Sequence, residues 1–482
     1  MILRRLPVLA VAVAGIGGLV AGTRSAAEPA TALFSIRAAA WMPAVPADDV
    51  LTSSWFCPGV PAAGAEGTGG EVVIANPGDA ELRARLAIVG GPGEEVARAV
   101  TVEPFGRVSI DIDEEIDAGY ASAVVEIDGG GGLVEQRAVH PAGTSVAPCA
   151  NAASPAWYLA EGFTAEDSVE QLVLTNPYDW AATVDIGFAT AEGSRQPPEL
   201  EGFPVPARSV KVVDMADIAA RDETEVAVNV VATRGSLVVG RAQIFDGGGR
   251  LGYSVALASP ALRDQWWFAN GLTGADVQER YSIYNPTEDD VEVIPIVLGI
   301  TTSEFIPIEP ITVQARQVTT FVPADVEGMP DGRHAMVFST GDGTQSVVVE
   351  QALTRTIEGR ATSSVLLGAP ARLGDGYVAR QWQVAIGADE PTTEGIVVFN
   401  IDNSDATVTV EAVGADGPEP VAALTDLRLR AGGLLTVDLI DPAVVGRPVV
   451  ITSTSRVFVQ RLLPREEGAQ GRTGSWAVPV AE

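Results

Sequence analysis

Two cysteines, two histidines and a surplus of carboxylates are the residues of this chain that could do chemistry. His140 and His334 are too few, even with both thiols, for a zinc or copper site. Neither histidine sits near a nucleophile motif. The chain has no Gly-x-Ser-x-Gly elbow, no Walker loop and no His-Glu-x-x-His helix. Gly129-Gly130-Gly131-Gly132 and Gly247-Gly248-Gly249 read as hairpin loops rather than phosphate cradles, because no helix pattern follows either. The densest acidic cluster is Asp111-Ile112-Asp113-Glu114-Glu115-Ile116-Asp117. Calcium takes six to eight oxygens at characteristic spacings, and those spacings are absent here. A carboxylate pair for glycoside hydrolysis would have to be assembled from distant segments, and nothing marks one. These residues therefore point to no enzyme, no metal and no cofactor.

The charge balance excludes another class. There are 63 acids against 31 bases, for a net charge of −32. Nucleic-acid affinity comes largely from Lys and Arg neutralising phosphates, so DNA and RNA binding is rejected. Lys211 is the sole lysine, which leaves lysine-based cross-linking with one possible attachment point.

The N-terminus sets the compartment. Arg4 and Arg5 precede an apolar run from Leu6 to Gly22, a pattern expected to keep the arginines inside and export the remainder. Ser25-Ala26-Ala27 offers a cleavage site, so residues 1–27 are a signal peptide or an uncleaved anchor helix. Residues 28–50 read as a linker. The protein is expected outside the cytoplasm, held at the membrane by this segment alone or secreted after cleavage. In an oxidising compartment, Cys57 and Cys149 are expected to form one disulfide.

The positioning elements are repeats. Trp55, Trp157, Trp267 and Trp382 each open a short strand-like block. An apolar run ending in Asn follows each, at Asn76, Asn176, Asn285 and Asn400. A third block carries an acid at a fixed offset: Glu115, Asp217, Asp325 and Asp441. A fourth reads Val134-Glu135-Gln136, Val239-Gly240-Arg241, Val349-Glu350-Gln351 and Val459-Gln460-Arg461. A fifth places Ser145, Ser254, Ser364 and Ser475 in a short strand. Val/Ile/Thr-rich runs broken by Gly, Pro, Asn and Asp fill the intervals. The expected fold is all-β: four tandem Ig-like antiparallel β-sandwich units at 51–153, 154–262, 263–376 and 377–482, after one N-terminal hydrophobic helix. Such units are expected to string into a rod or a bent chain of beads. The tryptophans are expected in cores or junctions, the asparagines as turn formers, and the acids as caps.

The pattern Trp157-Tyr158-Leu159-Ala160-Glu161-Gly162-Phe163-Thr164, then Leu172 to Pro177, then Val205 to Val210, resembles a repeat common in exported actinobacterial proteins. That family is of unknown function and often has an N-terminal membrane segment. The resemblance implies a cell-envelope protein and brings no catalytic residues. It usually shows Glu-Arg in the fourth block, where this chain has Glu135-Gln136, Gly240-Arg241, Glu350-Gln351 and Gln460-Arg461.

The expected function is therefore non-enzymatic: a tethered array acting as scaffold, stalk or interaction surface for an unknown envelope protein or glycan. One alternative is carbohydrate binding or adhesion through exposed Tyr178, Trp180 and Trp266. Another is an accessory subunit of envelope glycan assembly.

Overall fold

Alternation of apolar and polar residues is what builds the sheets. Along Ala182–Thr190 and Ala406–Gly414 every second residue at the start of the strand is buried, so one face is a core face from the first residue. The computed structural model describes residues 42–481 except 65, 219, 301–305, 342, 358, 371–377 and 465–471. The readings of residues 1–27, of the linker as far as residue 41, and of the boundary at 376 lie outside the described residues.

The fold is all-β, a set of antiparallel β-sandwiches. In the second repeat, Ala156–Leu159, Ala227–Arg234, Ala182–Thr190 and Gly193–Arg195 make one sheet. Ser209–Asp214, Val169–Asn176, Val238–Gly247 and Arg250–Leu257 make the other. Trp157, Leu172, Leu174, Ile186, Phe188 and Val230 from both sheets join in one apolar core. The first and third repeats follow the same scheme. This order differs from the ABED and CFG sheets of an immunoglobulin constant domain, because the second strand here pairs with the strands on either side of it in its own sheet rather than with the first. In the fourth repeat a single 16-residue strand, Val449–Pro464, serves both layers. It pairs with Ala406–Gly414 along its first half and with Thr392–Asn400 and Arg472–Trp476 along its second. The two layers there form one nine-stranded sheet.

The glycine run at 129–132 is a further departure from expectation. It carries the chain from Ala118–Asp128 in one sheet to Leu133–His140 in the other, and so is no hairpin. Gly247–Gly249 does close one, since Gly247 pairs with Arg250.

The repeats do not extend as a rod. The four strands of the serine block, Gly143–Pro148, Arg250–Leu257, Arg360–Leu367 and Arg472–Trp476, surround one narrow apolar cavity of about 30 Å³. Each repeat supplies three consecutive residues to its wall. The Val255 N–H donates to the Ser145 hydroxyl at 3.0 Å, and the Val365 N–H to the Ser254 hydroxyl at 3.4 Å. Leu251 and Thr362 pair in parallel, which fuses the inner sheets of the second and third repeats. Ser145 also lies 3.4 Å from Thr473, so the last repeat returns to the first. The two ends of the described chain meet as well. Val45 donates to the Pro479 carbonyl at 2.8 Å and accepts from the Ala481 N–H at 3.0 Å.

The recurring asparagine does the same work four times. Asn285 is fully buried. Its amide donates to the carbonyls of Asp289, Val313 and Gln314 at 2.8, 3.1 and 3.2 Å, and its oxygen accepts the Thr287 N–H at 3.0 Å. Asn76 and Asn176 make matching sets, and Asn400 keeps all but one of the bonds. Each thereby pins one sheet's strand end to the loop that leads back from the other. Asn285→Ala would strand buried carbonyls and is expected to cost about 2–3 kcal/mol. Asn285→Asp keeps the acceptor but loses the donors, and should be comparably damaging. Urea denaturation of both variants checks this; an Asp variant as stable as the parent would contradict it.

Candidate functional site

Glu135 and Glu350 are fully buried carboxylates, the least expected place for a charge. Both belong to the fourth sequence block, and each reaches across to a neighbouring repeat. Arg241 of the second repeat meets Glu350 of the third through two parallel bonds of 2.9 Å. The N–H groups of Ala160 and Glu161 add bonds of 2.6 and 2.7 Å to the same carboxylate. Arg461 of the fourth repeat meets Glu135 of the first at 3.0 and 2.6 Å. There the N–H groups of Ala385 and Ile386 add bonds of 2.8 and 3.1 Å. Each arginine also donates to a carbonyl of the same loop, Glu161 or Ile386. The two clasps are one arrangement built twice.

The block alternates for this reason. The first and third repeats carry Glu-Gln, while the second and fourth carry x-Arg. The pairs of like residues left over turn inward. Gln136 bonds both the N–H and the carbonyl of Gly59 at 3.0 Å. Gln351 donates to Asn270, Glu279 and Tyr281. Gly240 has no side chain because Pro58 of the first repeat packs there; a Cβ would stand 2.4 Å from the proline ring. Departure from the usual Glu-Arg pair reads in sequence as loss of a shared role. In space the role is divided between partners.

Two more buried acids lie beside the second-to-third seam. Glu161 contacts Arg250 at 3.0 Å and Arg280 at 2.9 Å, and accepts the Ser282 hydroxyl. Burial alone would raise its carboxyl, but Arg280 and Arg250 outweigh burial and hold it below the usual range. Glu170 is the opposite case. It is fully buried, and neither carboxylate oxygen has a hydrogen-bond partner among the described residues. Burial, reinforced by Glu350, Glu161 and Asp214 and only partly offset by Arg241, pushes it up to about 8.

The third repeat holds a histidine–carboxylate contact in the position of Glu170. His334 Nε2 lies 3.0 Å from Glu279, which also accepts the Tyr281 hydroxyl at 2.5 Å and the Gln351 amide at 2.7 Å. His334 Nδ1 faces the Gly332 carbonyl at 3.4 Å, and the group is buried in the core. The carboxylate orients the ring.

The remaining sequence candidates are placed as follows. Cys57 and Cys149 are bonded, closing a span of 92 residues in the first repeat. Trp55, Trp157 and Trp382 are buried in cores. The third tryptophan requires a correction of register. Trp157 Nε1 donates to the Leu237 carbonyl at 2.8 Å, and Trp266 Nε1 to the matching Val347 carbonyl at 2.8 Å. Trp266 is thus the core residue and is not exposed. Trp267 instead stacks on Phe458 of the fourth repeat, with ring centres 5.6 Å apart. Doubled tryptophans left two registers open, and only the hydrogen bonds separate them. Glu115, Asp217 and Asp325 lie in single helical turns after the third block's strand, and Asp441 lies at the start of an equivalent turn. Only Asp441 caps with its side chain, accepting the Ala443 N–H at 2.9 Å. In the second repeat that cap comes from Asp214, and Glu115 pairs with Arg98. Among the described residues no group of three or more His, Cys, Asp or Glu is arranged to hold a metal. Tyr178 and Trp180 stack at 5.1 Å with planes 5° apart, and Trp180 is 54% exposed.

Fold and site together define a disulfide-containing β-sandwich protein whose buried charges join one repeat to the next. The chain belongs to a family of unknown function, DUF5719, which matches residues 136–379. That stretch contains both partners of the Arg241–Glu350 clasp and neither partner of the other. Among curated proteins none matches. Among solved structures, one described as "Crystal Structure of Thermotoga maritima 1070" is 16% identical, covering 18% of this chain and 78% of its own, with a TM-score of 0.16. A likeness of that size carries no argument.

Two outcomes follow from the buried acids. Arg241→Met leaves Glu350 with two backbone donors and no counter-charge, and is expected to cost about 3–5 kcal/mol. Adding Glu350→Leu should return most of that loss, because an apolar pair replaces a buried ion. Losses that simply add in chemical denaturation would overturn the clasp. For Glu170, the folded carboxyl is raised from 4.5 to about 8, so the folded state binds an extra proton between those values. Its contribution is complete below pH 4.5 and is lost as pH rises toward 8, at roughly 1.4 kcal/mol per pH unit. The Tm of Glu170→Gln should therefore gain on the parent from pH 5 to 8 and then level off. A pH-independent difference would contradict the assignment.

Proposed function

We propose that this is a non-enzymatic cell-envelope protein in which four β-sandwich units close into an interaction platform. The observation that carries the reading is the return of the last repeat to the first, through Glu135–Arg461 and through the pairing of Val45 with the chain end. A stalk needs its ends apart, whereas a platform needs its units fixed against one another. The four-unit division is supported by the recurring asparagine staple and by the shared two-sheet scheme of the first three repeats. The first three units are Ig-like in being two-sheet sandwiches, with a strand order of their own, and the fourth keeps two layers within one continuous sheet. The membrane tether is the Leu6–Gly22 run, and the actinobacterial repeat resemblance favours the envelope as its setting. Among the described residues no helix is long and apolar enough to cross a membrane. The partner would be an envelope protein or glycan. An accessory role in envelope glycan assembly is compatible with such a platform.

A carbohydrate-binding reading is favoured by one specific observation, the exposed Tyr178–Trp180 stack. A flat indole with one face free is a surface on which a sugar ring can pack.

Small-angle scattering separates platform from stalk. A compact particle of this size has a radius of gyration of about 22 Å, and a rod of four sandwiches would be roughly twice that. The smaller value is expected, and the larger would sink the platform. Trp180→Ala leaves the scattering unchanged; loss of glycan-array binding in that variant would mark the stack as the sugar site.

A further inference from the structure

In a chain of net charge −32, positive charge left without a carboxylate stands out. The buried arginines at the seams follow one rule. Arg241, Arg461 and Arg250 each contact a carboxylate. Arg355 breaks it. It lies on the strand Val348–Ile357, only partly exposed, and its Nε and Nη2 are buried without a hydrogen-bond partner among the described residues. The nearby Arg333 has a side chain 12% exposed and leaves its Nη1 equally unpartnered.

These two arginines belong to a group. Arg333 Nη2 contacts Glu394 of the fourth repeat at 2.7 Å. Arg472 Nη2 donates to the hydroxyl of the adjacent Thr393 at 3.2 Å. Arg355 stands within electrostatic reach of Arg333, Arg472 and Glu394 together. Burial, then Arg333 and Arg472, pulls its guanidinium down to about 10, which still leaves it charged at neutral pH. Two other acids are near but engaged or peripheral: Glu279 is held by His334, Tyr281 and Gln351, and Glu390 faces Arg472 from an exposed loop. Glu394 itself has a φ of 52°, left-handed for a non-glycine residue, at a register shift in its strand. Such strain is retained where the surroundings impose it, and functional sites are the usual setting.

The fold does not require Arg355. The position six residues beyond the valine that opens the fourth block is His140 in the first repeat, Phe245 in the second and Arg465 in the fourth, so two of the four repeats do without an arginine there. Burying guanidinium donors unpaired is costly unless something supplies acceptors. Three arginines thus gather around Glu394, with Glu279 committed to other partners and Glu390 at the periphery. Guanidinium forks match the oxygens of phosphate-type groups.

We propose that Arg333, Arg355 and Arg472, at the seam of the third and fourth repeats, form a binding site for a divalent tetrahedral oxyanion of the phosphate or sulfate type. A carboxylate offers two oxygens in one plane, fewer than three separate guanidinium groups can engage. Glu394 opposes the anion and tunes the site, holding Arg333 in place when it is empty. The site requires neither a membrane nor a protein partner, so it stands apart from the platform reading.

The test is calorimetric titration of the full chain in detergent with inorganic phosphate, sulfate, acetate and glucose 6-phosphate at matched ionic strength. Phosphate and sulfate should bind, with acetate at least tenfold weaker. Arg355→Gln should weaken phosphate at least tenfold, and Glu394→Gln should tighten it several-fold. Thermal melting adds a second reading, because phosphate stabilises proteins generally by exclusion and only the difference between parent and variant reports the site. Without phosphate, Arg355→Gln should melt no lower than the parent. Glucose 6-phosphate binding as well as phosphate would place the group on a sugar, and its failure would restrict the site to the free ion; both outcomes keep the oxyanion site. No heat with phosphate, acetate binding as tightly, or unchanged binding in Arg355→Gln would overturn it.

Discussion

The structure depends on two carboxylates being taken out of water. A buried carboxylate is tolerable only when its lone pairs are met, because desolvation costs several kcal/mol and one counter-ion seldom repays it. Glu135 and Glu350 meet that condition with a bidentate arginine and two consecutive backbone N–H groups. The acceptor comes from one repeat and all four donors from its neighbour. A repeat with Glu in this position is therefore incomplete alone, and so is one with Arg. That reciprocity turns a string of sandwiches into a closed set, with a sense of direction that apolar contacts would not impose.

The other two seams carry no such buried clasp among the described residues and close in other ways, although Arg333 of the third repeat pairs with the more exposed Glu394 of the fourth. Between the first and second repeats, Gly240 admits Pro58, and the Val210 N–H reaches the Gly90 carbonyl at 2.7 Å. Between the third and fourth, Trp267 lies on Phe458 and Trp476 donates to the Leu367 carbonyl at 2.8 Å. Seams with and without a buried carboxylate clasp thus alternate around the chain. The two ionic seams, second-to-third and fourth-to-first, relate to one another by an approximate two-fold rather than four-fold correspondence. Where ionic seams recur, a misplaced repeat would leave a buried Glu facing a glycine or glutamine, which disfavours wrong closure as well as favouring the right one.

Much of this was legible residue by residue. The asparagine before each turn signalled its role, because an amide that must satisfy several carbonyls at a strand end has few substitutes. The all-β class followed from alternation, and the disulfide from a pair of cysteines within one repeat. Closure was not legible. It depends on residues hundreds of positions apart, such as Glu135 and Arg461, whose relation shows only as alternation within one block. The Trp266–Trp267 doublet hid its register because both rings are apolar and only hydrogen bonding tells them apart. The shared acid after the third block also misled: Glu115, Asp217, Asp325 and Asp441 keep a place in the chain, but the capping duty moves between Asp214 and Asp441.

That distinction bears on where function lies. Residues present in every repeat are consumed by folding: tryptophans by cores or seams, asparagines by loop closure, and serines by the meeting of inner strands. A residue that has no counterpart in the other repeats, and that costs stability where it stands, needs another explanation. Trp180 meets the first condition on an exposed turn. Arg355 meets the second, since its donors lack partners among the described residues; its equivalents are His140 and Phe245 in the first two repeats and Arg465 in the fourth. Glu170 also strains the core, but Glu279 repeats its position and a titrating acid beside Arg241 acts on the clasp itself. The closed set of repeats is therefore a frame that holds seam residues at fixed separations, and the positions at which the repeats differ are the ones that folding leaves unexplained.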